Sequence, residues 1–134
     1  MDAYYDNCEI KISGGDFNSD YHCVMLADKH DITLKIEGGT FNSGYECIDV
    51  SSWYYTGTCE IEISGGEFVS ENSECIDGYN DGSTLKIEDG TFTSSGDDCV
   101  YFGGGNVEIS GGEFTTSASG YVCINVYYGT LKIE

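Results

Sequence analysis

Apolar and polar residues alternate along this chain in short runs, and the runs recur about every 24 residues. The first reads Ile10-Lys11-Ile12-Ser13-Gly14-Gly15-Asp16-Phe17. The pattern returns over Leu34 to Phe41, Ile61 to Phe68, Leu85 to Phe92 and Val107 to Phe114, and a half-copy, Leu131-Lys132-Ile133-Glu134, ends the sequence. Strict alternation predicts strands. A fixed period of this length predicts one supersecondary unit stacked on itself.

Each unit predicts three short strands. In Thr33-Leu34-Lys35-Ile36-Glu37 the residues Leu34 and Ile36 point inward, Gly38-Gly39 turns the first corner, and Thr40-Phe41-Asn42-Ser43 buries Phe41. A polar bend leads to Cys47-Ile48-Asp49-Val50, and a loop of variable length closes the coil, as at Ser51 to Thr58. The expected fold is all-β, a right-handed parallel β-helix of about five and a half coils starting near residues 8, 32, 59, 83, 105 and 129. Residues 1–134 form one such domain. Successive coils should stack at ~4.8 Å, so each motif position becomes a column along the axis.

The columns carry a second period, twice the first. The residue before the inward pair of strand one runs Glu9, Thr33, Glu60, Thr84, Asn106, Thr130, and the residue before the phenylalanine runs Asp16, Thr40, Glu67, Thr91, Glu113. The residue after Ile-x-Ile runs Ser13, Glu37, Ser64, Glu88, Ser110, Glu134. Acids alternate with neutral residues, so like charges avoid direct opposition on neighbouring strands. Acids two coils apart stand ~9–10 Å from each other, near a Debye length.

That spacing matters because the chain holds 24 acidic and five basic residues, a net charge of −19, and no arginine. Such a surface disfavours nucleic acid and anionic membranes and attracts cations or basic partners. No apolar run reaches the ~18 residues of a membrane span, so no membrane insertion is expected. Proline is absent, which suits continuous hydrogen-bonded ladders.

Five cysteines share one coil position: Cys23, Cys47, Cys75, Cys99 and Cys123. Coil spacing lies within the Cα separation that disulfides accept, ~4.4–6.8 Å. Adjacent members can therefore bridge coil to coil, or stand as a packed ladder of thiols. Cys8 and Cys59 belong to another column with Ile32 between them, too far apart to bond to each other. The total of seven leaves at least one thiol unpaired within the chain. Cys-x-x-Cys is absent and histidine occurs only at His22 and His30, which argues against a transition-metal site.

Other chemistry is sparse. Nucleophile-elbow, phosphate-loop and His-Glu-x-x-His motifs are missing. Calcium is the cation best matched to the oxygen donors near Asp16, Asp20, Glu67, Glu71, Asp77, Asp81, Asp97 and Asp98, although the repeat assigns it no specific site and solvated acidic surface is the favoured explanation. Asp97-Asp98 is an acid pair whose side chains should diverge on an extended backbone. Aromatic residues gather in bends and closing loops: Tyr21, Tyr45, Trp53, Tyr54, Tyr55, Tyr79, Tyr121, Tyr127 and Tyr128. They can stack on sugar rings or anchor a partner, or shield gaps between loops.

The pattern Ile-x-Ile-x-Gly-Gly-x-Phe, a polar bend and a short apolar strand resembles the repeats of right-handed β-helical bacterial surface proteins of the broad pectin-lyase-like fold, some labelled carbohydrate-binding. The resemblance covers nearly the whole chain. The related polysaccharide lyases typically use a lysine or arginine base with arginine and calcium partners. Here arginine is missing, and Lys11, Lys35, Lys86 and Lys132 all occupy one repeated outward position, as charge partners for neighbouring glutamates. Similarity to polygalacturonases reaches only Asp97-Asp98, and the cysteine column departs from the bacterial repeats.

These readings combine into a functional expectation: a non-enzymatic extracellular or cell-surface solenoid, serving as a stalk, adhesin segment or fibre unit. The chain begins in a closing loop and stops after one strand of a sixth coil, without a capping helix. This leads to the expectation of a longer solenoid or of copies stacking head to tail. The alternative is a carbohydrate-binding module using the loop tyrosines, and a remote one is a polysaccharide lyase or hydrolase. No cofactor is expected beyond calcium.

Overall fold

A computed structural model describes residues 8–26, 31–50, 57–79 and 82–134. Trp53, Tyr54, Tyr55 and Asp81 lie outside the described residues. The chain winds as a parallel β-solenoid of about five turns with three sheets, and no helix occurs among the described residues.

The first sheet holds β1 (Cys8–Ile12), β4 (Ile32–Ile36), β7 (Cys59–Ile63), β10 (Thr84–Ile87), β13 (Asn106–Ile109) and β16 (Thr130–Ile133), stacked in that order. The second holds β2 (Asp16–Ser19), β5 (Thr40–Ser43), β8 (Glu67–Ser70), β11 (Thr91–Ser94) and β14 (Glu113–Thr116). The third holds β3 (Val24–Met25), β6 (Ile48–Asp49), β9 (Ile76–Tyr79), β12 (Val100–Gly103) and β15 (Ile124–Tyr127). Every strand pairs in parallel with the equivalent strand of the next coil.

The register reproduces the columns. Glu9 faces Thr33, Thr33 faces Glu60, and Glu60 faces Thr84. On the second sheet Asp16, Thr40, Glu67, Thr91 and Glu113 follow one another. The lysine column proves to be alternating as well: Lys35, Glu62, Lys86, Glu108 and Lys132 are successive partners. Lys11 breaks this order by facing Lys35 and instead contacts Glu37 at 2.8 Å. Lys86 contacts Glu88 at 2.8 Å, and Lys132 contacts both Glu108 and Glu134.

The interior is built from inward columns. Leu34, Ile61 and Leu85, with Ile36, Ile63 and Ile87, are almost wholly buried. Phe17, Phe41, Phe68, Phe92 and Phe114 stack with ring centroids 4.7–4.8 Å apart and planes within 2–5° of parallel. Neighbouring coils hold the rings at the strand spacing, which imposes near face-to-face stacking on them. Beside the ladder, Gly78 in one coil makes room for Phe102 in the next: a Cβ there would lie 2.4 Å from the Phe102 ring.

The second glycine of each corner has a positive φ, from 104° at Gly112 to 133° at Gly90. L-residues rarely enter that region. The first glycine is under no such backbone demand, and in the fourth coil Asp89 takes its place.

The third strand is shorter at the start of the stack than expected. Cys23 and Cys47 precede β3 and β6 rather than belonging to them. Pairing nevertheless runs on past both strands, since Leu26 N donates to Asp49 O and Val50 N to Asp77 O.

Candidate functional site

The cysteine column forms as expected, and in this structure no disulfide joins the seven cysteines. Each ladder thiol donates toward backbone carbonyls where the second sheet ends. Cys47 Sγ lies 3.5 Å from Phe41 O and 3.3 Å from Val69 O, and Cys75 Sγ lies 3.2 Å from Thr93 O. Cys47, Cys75 and Cys99 are fully buried. Burial pushes the Cys99 thiol up to about 12, and contact with Cys75 together with burial raises Cys47. Thiolate chemistry is thereby suppressed along the interior. Cys8 and Cys59 do flank Ile32 in register.

A second polar column lies beside the thiols, where sequence reasoning had seen only strand ends. Ser43, Ser70 and Ser94 are buried. Ser70 Oγ lies 2.7 Å from both Tyr45 O and Ser73 O, and Ser94 Oγ lies 2.8 Å from Ser73 O and 2.9 Å from Asp97 O. Each hydroxyl ties the bend of its own coil to that of the preceding one.

Asp97 and Asp98 diverge. Asp98 is buried, with Oδ1 accepting from Val122 N at 2.8 Å and Oδ2 from Asn125 Nδ2 at 2.9 Å, while Asp97 Oδ1 accepts from Asp98 N at 2.9 Å. Both Asp98 oxygens are thus engaged in holding the next coil.

Among the carboxylates matched to calcium, Asp20 and Glu71 line one groove of about 420 Å³ on the second sheet, two coils apart with Gly44 between them, together with Asn18 and Asn42. Asp16 and Glu67 stay apart, with Thr40 between them. Tyr21 and Tyr45, next to the groove residues Asp20 and Gly44, stack at 5.7 Å and 8°. Tyr121 is exposed and shares their column, but the coils between carry Ser73 and Asp97 at that position.

The third face gathers residues that the sequence did not bring together. His22 Nδ1 lies 2.8 Å from Glu46 Oε2, a contact whose direction falls short of a hydrogen bond, and His22 Nε2 lies 3.8 Å from Asp49 Oδ2. Ligand atoms of His22, Glu46 and Asp49 lie within 4.8 Å of one another, as do those of Glu46, Glu74 and Asp77. Ser73 Oγ sits 2.6 Å from both Glu46 Oε1 and Glu74 Oε2. The Ser73 hydroxyl therefore bridges the two carboxylates. Burial, the largest influence on Glu74, raises its pKa, with Asp97 and Glu46 adding to the rise. The available signal was the column before each cysteine: Glu46, Glu74 and Asp98 follow one another without the neutral spacer seen elsewhere.

Tyr79 and Tyr127, both exposed, are the register partners of Gly103 on either side, and Tyr127 packs against Tyr128 at 4.2 Å. The class of protein that this geometry defines is a parallel β-solenoid with ordered side-chain ladders. Compared with protein-family models, curated proteins and solved structures, the chain gives no match.

Proposed function

We propose that the chain is a non-enzymatic structural segment of an extracellular or cell-surface solenoid, working as a stalk, adhesin segment or fibre unit. The supporting observation is the phenylalanine ladder, which repeats at 4.7–4.8 Å through five coils with its planes nearly parallel. Each coil is recognised only by its neighbours, so the stack is a rod whose length and stiffness are its output. A coil offered by a second copy meets the same ladder chemistry, and head-to-tail contact of this kind propagates without closing. The resemblance to β-helical surface repeats of the pectin-lyase-like fold points the same way. Cryo-electron microscopy of the native protein tests this: fibrils with a ~4.8 Å axial repeat support end-to-end stacking, and isolated short rods exclude it.

The second reading is glycan binding, favoured by the groove holding Asn18, Asp20, Asn42 and Glu71 beside the Tyr21–Tyr45 stack. Amides and carboxylates pair with sugar hydroxyls while aromatic faces cover the ring. Loss of glycan-induced fluorescence change in Tyr45→Ala and Asn42→Ala tests it, and an unchanged response in both variants removes it.

A further inference from the structure

The third face combines two features. The first is an aromatic patch. Tyr79 faces Gly103 in register, Gly103 faces Tyr127, and a Cβ on Gly103 would lie 2.6 Å from Tyr79 Cδ2 and 3.6 Å from Tyr101 Cε1. Glycine at this position thus lets the Tyr79 ring of the neighbouring coil close over the backbone. Tyr79, Tyr127 and Tyr128 are 57%, 49% and 81% exposed, an unusual state for large rings sharing one face. Tyr128 also has a φ of 59°, and it is the one non-glycine residue with positive φ among those described. A bulky residue held in the left-handed region marks backbone strain, which is retained where a side chain must be presented.

The second feature is charge. The described lysines Lys11, Lys35, Lys86 and Lys132 all rise from the first sheet, where glutamates pair with them. On the third face acids stack on acids instead. Asp49 faces Asp77, and Glu46, Glu74 and Asp98 occupy one column. Tyr101 continues the Asp49–Asp77 column, so the aromatic patch begins where the carboxylates end. His22 is the one described side chain of this face able to carry positive charge. In a chain of net charge −19, the face is complementary to cations that also seek aromatic surface.

We propose that the third face docks a basic polypeptide segment, with arginine or lysine side chains laid over Tyr79, Tyr101, Tyr127 and Tyr128 and their charges met by Glu74 and Asp77. The guanidinium fits both halves of the site, since it stacks on aromatic rings and pairs with carboxylates. Spacing is also suitable: side chains on one face of an extended peptide repeat at ~6.6–6.8 Å, within reach of rings set one or two coils apart.

The test uses the full chain and a fluorescently labelled deca-arginine peptide, with binding followed by anisotropy at several salt concentrations. Tyr79→Ala, Tyr127→Ala and Tyr128→Ala should each weaken binding about two- to five-fold, while Tyr127→Phe, which keeps the ring, should bind like the parent. Gly103→Ala should weaken binding by displacing the Tyr79 ring, with circular dichroism confirming an intact fold. Asp77→Asn should reduce both affinity and the salt slope. Glu62→Gln and Glu88→Gln on the first sheet, and Tyr45→Ala at the second-sheet groove, should leave affinity within about two-fold if the site is local. Equal losses from first-sheet and third-face carboxylates would mean diffuse attraction to an acidic rod and overturn the proposal, as would full binding by the triple tyrosine-to-alanine variant.

Discussion

Phe68 sits at the centre of the ring ladder, fully buried and stacked on Phe41 at 4.7 Å and 5° and on Phe92 at 4.7 Å and 2°. Truncating a buried phenylalanine to alanine costs about 3–5 kcal/mol from lost transfer free energy and the cavity left behind. Phe68 belongs at the upper end because the flanking rings are fixed on their own paired strands and cannot collapse inward. Phe17 is only partly buried and has one stacked neighbour, Phe41, among the described residues. Its truncation should cost about half as much, roughly 2 kcal/mol. Phe68→Leu separates the contributions, since it keeps much of the apolar volume and loses both stacked pairs, for about 1–3 kcal/mol. Against a total of ~5–15 kcal/mol for a domain, the leucine variant should remain folded enough to measure. Urea unfolding followed by circular dichroism, with linear extrapolation, reads all three. Equal costs at Phe68 and Phe17, or a leucine variant within ~0.5 kcal/mol of the parent, would refute the claim that stacked rings hold the coils together.

Gly66 and Gly14, the second glycine of one corner and the first of another, should differ sharply. Gly66→Ala, at φ 118° and with its new Cβ 3.1 Å from Phe68, should cost about 1–3 kcal/mol, whereas Gly14→Ala, with nothing within 4 Å, should be neutral or slightly stabilising in the same urea assay. Glu74 has a raised folded-state pKa, so its contribution is fully present below the unfolded pKa and is lost as pH rises through the folded value. Glu74→Gln should therefore raise the melting temperature at pH 7 relative to the parent and flatten stability across the acid range. A thiol reagent should titrate exposed Cys8 rapidly and the buried Cys47, Cys75 and Cys99 only on unfolding, with seven thiols released in denaturant; fewer would reveal bridges in the ladder. Asp98→Ala leaves the Val122 N–H and the Asn125 amide without their acceptor and should cost about 1–3 kcal/mol.

Much of the fold was legible because a solenoid turns sequence period directly into neighbourhood. Alternation named the inward residues, Leu34, Ile36 and Phe41 among them, and the Gly-Gly pairs named the corners. The alternating charge columns follow from the period as well, although the lysines alone do not reveal the Lys35–Glu62–Lys86–Glu108–Lys132 order.

What the repeat could not convey lies at the bends and closing loops, where its length changes. The bend spans Asp20 to His22 in one coil, Glu71 to Glu74 in another and Ser117 to Val122 in a third. Counting forward through such insertions loses the register of the later coils, and although His22 and Glu46 hold the same place before Cys23 and Cys47, the reach of the His22 ring to Asp49 emerges only when the coils are stacked. The same holds for the fit of Phe102 against Gly78 and of Tyr79 over Gly103, each a large-against-small match between different coils. The sequence by itself determined the period, the inward positions and the corners, because backbone pleat and glycine stereochemistry act locally. Tertiary structure decided which acids share a face, which hydroxyls and thiols bridge coils and where aromatic rings stay exposed, because those depend on distances between coils that no single repeat contains.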